Sequence, residues 1–373
     1  MLAGELQQRL TGTLISKETV TLRKGASFAR EWSDRRRGIE QELQLRSGLV
    51  PWGELDPATL RWYGVQLGLP TDDEEAIRTA LSERLLDGRD RLLPDEVRQI
   101  VLLFGLESAV RGSLGRGMID CRAIERNQPR PKDRVEATRN VIESLKLAIT
   151  FFGQHIALEA ATIDGLHATS GSADYIAMRE ALVNLFIHQD YSDQRSVAQI
   201  EIRPERAMFF NAGKSLVSSA SLAEGGKSQS RNPLISRALR LIGFAELAGS
   251  GLRAIYHAWA GAKRRPPVYE SNSAANSFTL TLDWRPMPEI ADAFWKQRLG
   301  VSISPQESAA LILAAEPGGV SIERIAAAQS LLIDEVQSLV QRLVKEGLVV
   351  ESKGVVKAQE HLQNLVDEAK QQA

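Results

Sequence analysis

Apolar positions along the chain change period several times, and each change marks an element. In DPATLRWYGVQLGL, Asp56 supplies an N-cap and Pro57 a first helical residue, which predicts a helix. DDEEAIRTALSERLL predicts another, acidic in its first turn as the helix dipole favours. LPDEVRQIVLLFG is strongly apolar and fits a helix or a strand. GMIDCRAIER (117–126) reads as a strand, and QPRPKDR as a proline-bearing loop. Residues 135–156 predict an amphipathic helix with Val141, Leu145, Ala148 and Phe152 on one side. ALEAATIDGLHATSG predicts strand, turn and strand about Asp164-Gly165. A helix carrying REALVNLFIHQDYS (179–192) follows, and then a β-hairpin over 196–213 with alternating Ile200/Ile202 and Met208/Phe210. Gly213 to Asn232 is polar and Gly/Ser-rich. NPLISRALRLIGF predicts a helix with Pro233 near its start, AGSGLRAIYHAWAG a glycine-opened helix, and NSFTLTLDW (276–284) a strand. From 303 the pattern gives three helices, a short hairpin at VVESKGVV and a polar amphipathic helix to the end.

These elements predict an α+β protein in four parts: a mostly helical region (1–95), an α/β region (96–285, core 171–285), a linker (286–302) and a C-terminal helical module (303–373). The length of 373 residues suits two or three domains. Composition is that of a soluble globular protein, 43% hydrophobic and 25% charged. A net charge of -1 gives no global field for nucleic acid, so any such site is local. The strongest local candidate is the basic cluster Arg23, Lys24, Arg30, Arg35, Arg36 and Arg37, which is either a solvated face or a phosphate-backbone patch. Cys121 is the one cysteine, which excludes an intramolecular disulfide and a cysteine-rich zinc site. The start of the chain has no signal-peptide pattern and no apolar run approaches ~20 residues, so a cytoplasmic protein without a membrane span is expected.

One stretch changes this picture. Glu180, Asn184 and His188 are spaced four apart inside an otherwise apolar segment, so on a helix they share a face, with Asp190 just beyond. A carboxylate beside an amide suits metal-assisted phosphate chemistry: Glu takes a proton from water, and the Asn oxygen ligates Mg²⁺. An exposed polar stripe explains the same spacing. Behind the stripe, in order, come Asn211-Ala212-Gly213 at the hairpin end and Gly249-Ser250-Gly251 opening a helix. A glycine pair at a helix N-terminus lets backbone N–H groups approach phosphate.

REALVNLFIHQDYS, FFNAGKSL, SRNPLISRALRLIGFAELAGSGLRAI and the closing strand together resemble a bacterial family with a GHKL (Bergerat-type) ATP-binding α/β sandwich, labelled RecG-related or transcriptional-regulator proteins. The resemblance runs from about residue 20 to the end and is strongest over 175–285. It implies ATP and Mg²⁺ as ligands, Glu180 as the water-activating base and Asn184 as the metal ligand. It also implies Asn211 and Gly213 on the adenine side, and Gly249, Ser250 and Gly251 at the phosphates. Ser230, Arg231 and Asn232 would lie near a lid that includes Lys227, and His188 and Asp190 would extend the helix motif. Asn211 stands where the superfamily usually has Asp, and the family's Asn-Pro-Gly-Gly is Asn-Ala-Gly-Lys-Ser here. The Schlafen-like (Alba-type) domain that commonly begins family members is not found. SLAEGGKS (221–228) imitates the end of a Walker A loop, but Ser221 stands where that loop needs Gly.

The order of elements over 303–358 resembles a winged helix, with recognition helix Ile333–Glu346 and wing tip 351–354. Its charge argues against DNA: 303–373 carries six Lys/Arg and ten Asp/Glu, with Asp334-Glu335 opening the recognition helix. Two functions stay open. One is an ATP-binding regulator, at most a weak ATPase, coupling nucleotide to DNA binding through the winged helix or the basic cluster. The other is a non-enzymatic assembly protein with a degenerate nucleotide site, contacting protein partners or a second copy of itself.

Overall fold

The computed structural model describes residues 48–70, 73–126, 128, 130–156, 172–217, 229–245, 251–288, 290, 292–329 and 331–372. The basic cluster 23–37, the strand–turn–strand expected over 157–171 and the Walker-like 221–228 lie outside the described residues. The chain divides into two compact units, 1–113 and 114–373.

In the first unit a two-stranded ribbon joins β1 (Gly48–Leu49) to β2 (Arg91–Leu92). Around it lie α1 (Pro57–Gln66), α2 (Glu74–Ala80), which runs on into a π-helical turn, and α3 (Pro94–Phe104). Asp56 caps α1 by accepting from Ala58 N–H, and Asp73 caps α2 by accepting from Ala76 N–H. The apolar run IVLLF is one buried helix, α3, and α4 (Glu107–Leu114) follows it.

The second unit is built on β3 (Ile119–Ala123), β4 (Asp133–Ala137), β5 (Ala198–Arg203), β6 (Arg206–Ala212), β7 (Val268–Asn272) and β8 (Ser277–Asp283). They form one mixed sheet in the order β4-β3-β5-β6-β8-β7, in which β3 and β5 are parallel. Strict alternation on β5 sends Ala198, Ile200 and Ile202 into the core beside Cys121, Phe209 and Leu280. That face is covered by α5 (Val141–His155) and α6 (Ala173–His188), with Phe152 edge-on to Phe209. α7 (Pro233–Leu241) and α8 (Gly251–Gly261) both pack on α6, α8 the more extensively. Two strands differ from the sequence expectation. Residues 133–137 pair with β3 rather than opening the helix, which starts at its N-cap Asn140, and β7 appears at the sheet edge.

The C-terminal part begins with α9 (Asp292–Leu299) and α10 (Pro305–Ala314), the latter closed by a Ser304/Glu307 capping box. It continues through β9 (Val320–Ser321), α11 (Ile322–Gln329), α12 (Ile333–Lys345), β10 (Val349–Ser352), β11 (Val355–Ala358) and α13 (Gln363–Gln372). Its antiparallel sheet has the order β10-β11-β9 and shares a core with Trp295, Leu311, Ile325 and Leu343. Lys353 and Gly354 both have positive φ at the hairpin tip, as a tight two-residue turn requires. Helix α11 rests on α8, so the C-terminal part meets the sheet domain through the helix that begins at Gly251.

Candidate functional site

The helix that carries the polar stripe is capped by Ser172, whose hydroxyl accepts from Tyr175 N–H. It is enclosed on most sides: Glu180 is 2% exposed, and Asn184 and His188 are half-buried. The stripe therefore faces protein rather than bulk water, which sets aside the solvated-face explanation. Its first half faces the start of α8. A Cβ at Gly251 would lie 2.9 Å from Glu180 Oε2 and 3.2 Å from both amide atoms of Asn184. Only a residue without a side chain brings the α8 backbone this near. Gly249, Ser250 and Lys227 lie outside the described residues.

Glu180 Oε1 accepts from Arg179 Nη2 at 2.7 Å, and both side chains are 2% exposed. Sequence reasoning missed Arg179, because adjacent helical residues point ~100° apart and are not expected to meet. A buried charge pair of this kind is costly to break from one side.

The second half of the stripe meets the end of the β5–β6 hairpin. Asp190 N–H donates to Ala212 C=O at 2.8 Å. Its carboxylate accepts from Ser192 N–H (3.0 Å), from Ser192 Oγ (2.5 Å) and from Asn276 Nδ2 (3.0 Å), with the Arg231 guanidinium 3.9 Å away. Burial pushes this carboxyl up, but the bonds from Ser192 and Asn276 together with Arg231 outweigh it and hold it below the ordinary aspartate value. Burial, and then the Arg231 charge, push the His188 imidazole down to about 4, so it is neutral at pH 7. Gly213 has φ +110°, and a Cβ there would lie 2.8 Å from His188 C=O and 3.1 Å from Asp190 N. Asn211 is 4% exposed, and its Nδ2 donates to Ala212 C=O at 2.9 Å.

Ser230, Arg231 and Asn232 come to the same place. Ser230 Oγ donates to Ile187 C=O and Arg231 Nε to His188 C=O. Asn232 Nδ2 donates to Gln189 C=O at 2.7 Å and to Ile187 C=O at 3.2 Å. These are carbonyls a helix leaves without internal partners at its C-terminus. The tripeptide thus fastens the segment before α7 to the end of α6. The structure brings His188, Asp190, Gly213 and Ser230–Asn232 into one cluster, with Asn276 and Ser192 as partners that no sequence spacing announced.

Residues 196–282 match a family model described as "Putative ATP-dependent DNA helicase recG C-terminal". The match runs from the hairpin to β8 and supports an ATPase-like domain here. No curated protein is similar to the chain at a level that carries an argument. A crystal structure of the DIP2311 protein from Corynebacterium diphtheriae has a related fold, with a TM-score of 0.51 at 17% identity, covering 87% of this chain. The chain spans 65% of that protein's length. Among the described residues no helix is long and apolar enough to cross a membrane.

Proposed function

We propose that the protein is an ATP- and Mg²⁺-binding regulator, at most a weak ATPase, with a GHKL-type site between α6 and the start of α8. One observation carries this reading: the backbone at Gly251 is held against Glu180 and Asn184, and the helix it begins also supports α11. The residue types suit the ligand. Without a Cβ, Gly251 brings the α8 backbone directly against Glu180 and Asn184 at a helix N-terminus, where the dipole favours anions. Among the described residues no three His, Cys, Asp or Glu side chains converge, so Mg²⁺ would be held by the Asn184 oxygen with phosphate oxygens and water. When bound, the ion would neutralise phosphate charge. Glu180, whose Oε1 accepts from Arg179 and whose Oε2 faces Gly251, is the group that would accept a proton from water.

Nucleotide occupancy would reach the C-terminal module through α8. That module has the helix and strand order of a winged helix. Its exposed face favours a protein partner or a second copy over DNA. Helix α12 opens with exposed Asp334 and Glu335. Arg342 is engaged by Glu307 at 3.2 Å and by Ser302 C=O, while Leu332 and Val350 are exposed. Calorimetric titration with MgATP tests the first part. Binding is expected, weakened by about tenfold or more in Asn184→Ala and Gly251→Val. No heat with millimolar MgATP overturns it. Duplex DNA binding at low salt that weakens steeply as salt rises would restore the DNA reading of the module.

A further inference from the structure

The six-stranded sheet of the second unit ends in β4 on one side and β7 on the other, and among the described residues no further strand pairs with either. An open edge offers backbone N–H and C=O groups to another chain, and charge on the strand ordinarily discourages such pairing. The two edges differ in how their charges fall. β7 is VYESN, with Glu270 at its centre and Pro266-Pro267 just before it. Pairing β7 with itself about that centre sets Glu270 against Glu270 of a second copy, and the prolines cannot donate to a longer ladder.

β4 is DRVEA, with Val135 at its centre. Antiparallel pairing about a two-fold axis at Val135 sets Arg134 against Glu136 of a second copy, and Glu136 against its Arg134. Asp133, already held by His155 at 2.8 Å, falls opposite Ala137. No like charges face each other across this seam. Residues directly opposite on antiparallel strands have Cβ atoms ~4.5–5.5 Å apart, within reach of an Arg–Glu pair. Arg134 and Glu136 are both exposed. Arg134 is anchored on buried Asp120 through Nε at 2.9 Å and Nη2 at 3.0 Å, which leaves Nη1 to donate. The Glu136 carboxylate is in no ion pair or hydrogen bond among the described residues. The edge thus carries an anchored donor and an unmatched acceptor two residues apart.

We propose that two copies of this chain join through β4, antiparallel and centred on Val135, so that their sheets become continuous. Strands of five residues bury far less than a standard interface of about 1,600 Å², so the dimer is weak. It needs neither nucleotide nor the C-terminal module.

Sedimentation velocity on the full chain from about 1 to 200 µM follows the monomer–dimer equilibrium. Hydrogen exchange locates the contact: amides of 133–137 should gain protection as concentration rises. Glu136→Arg and Arg134→Glu should each weaken the dimer about tenfold or more, since each sets like charges together. The double variant should restore it, because opposite signs face again and position 136, opposite Asp120 on β3, then supplies that carboxylate with a base. Val135→Cys should give a disulfide-linked dimer on mild oxidation, since the spacing of opposed residues suits a disulfide. The natural chain, whose Cys121 is buried, should stay unlinked under the same treatment. If Arg134→Glu fails to fold, Glu136→Arg at its exposed site and Val135→Cys carry the test. A monomer throughout the range overturns the proposal, as does a dimer indifferent to Glu136→Arg. So do amides of 133–137 already fully protected at the lowest concentration, which would mean that the chain covers this edge itself.

Discussion

The two halves of the polar stripe on α6 look alike in sequence and differ in what they do. Glu180 and Asn184 face the side-chain-free start of α8. His188 and Asp190 face Gly213, Ser192, Asn276 and Arg231, which bind or crowd them. The first half packs its polar atoms against a helix start that has no side chain, and its role in binding a ligand is the proposal. The second uses its polar atoms to fix a helix end to a hairpin and to the segment before α7. A single four-residue spacing thus runs through two different surroundings, and what packs opposite tells them apart.

Measurements on six variants would break or sharpen this contrast. The largest effect is expected at Glu180, which belongs to the first half but also neutralises Arg179. Glu180→Ala leaves a buried guanidinium without this carboxylate and should cost about 3–5 kcal/mol in urea unfolding. Asn184→Ala should cost under about 1 kcal/mol while weakening MgATP binding. Equal costs for the two would erase the distinction between partner and ligand group. Next comes Gly213→Ala, where positive φ and the nearby His188 carbonyl should together cost about 2–4 kcal/mol without abolishing MgATP binding in the folded fraction. Asn232→Ala removes the donor to two helix-end carbonyls and should cost about 1–3 kcal/mol by the same unfolding measurement.

The remaining effects concern pH. Folding holds His188 near 4, below its unfolded value of about 6.5, so the unfolded chain binds more protons between those limits. Stability is then full above about 6.5 and falls toward pH 4, with a slope of up to about 1.4 kcal/mol per pH unit. His188→Gln should flatten this window. Asp190 has a lowered carboxyl, so its contribution is present above the unfolded aspartate value and is lost as pH falls below it through the folded one. Asp190→Asn should flatten that lower window only. Guanidinium denaturation followed across the acid range separates the two.

Much of the architecture was legible because its signals are local. Asp56-Pro57, the alternation of β5 and the Ser304/Glu307 box each specify an element by neighbouring residues. Strand β7 was not legible: VYESN is short and mostly half-exposed at a sheet edge, so it shows no buried alternation. Strand β4 was absorbed into a predicted helix because its apolar positions Val135 and Ala137 continue the helical spacing of Val141, and only its pairing with β3 separates them. In the site, Glu180, Asn184 and Gly251 were legible as residue types suited to phosphate chemistry. The capping by Ser230–Asn232 was not, since partners about forty positions apart leave no periodic trace. The fit between Gly251 and the Glu180 carboxylate is likewise a property of helix packing.

The parallel pairing of β3 with β5 has a consequence for how the molecule assembles. Ile119 lies opposite Ala198, 79 positions later, and the intervening chain includes β4, α5 and α6. Closing so long a loop costs entropy before any contact compensates for it, so this pairing is expected to be slow and late in folding. The stretch that matches the family model, 196–282, includes neither β3 nor α6. Produced alone, it would present β5 as an open edge inviting association with other chains, and it would lack the helix that bears Glu180. The wall of the candidate nucleotide site is in this sense a finishing step of folding, not its seed.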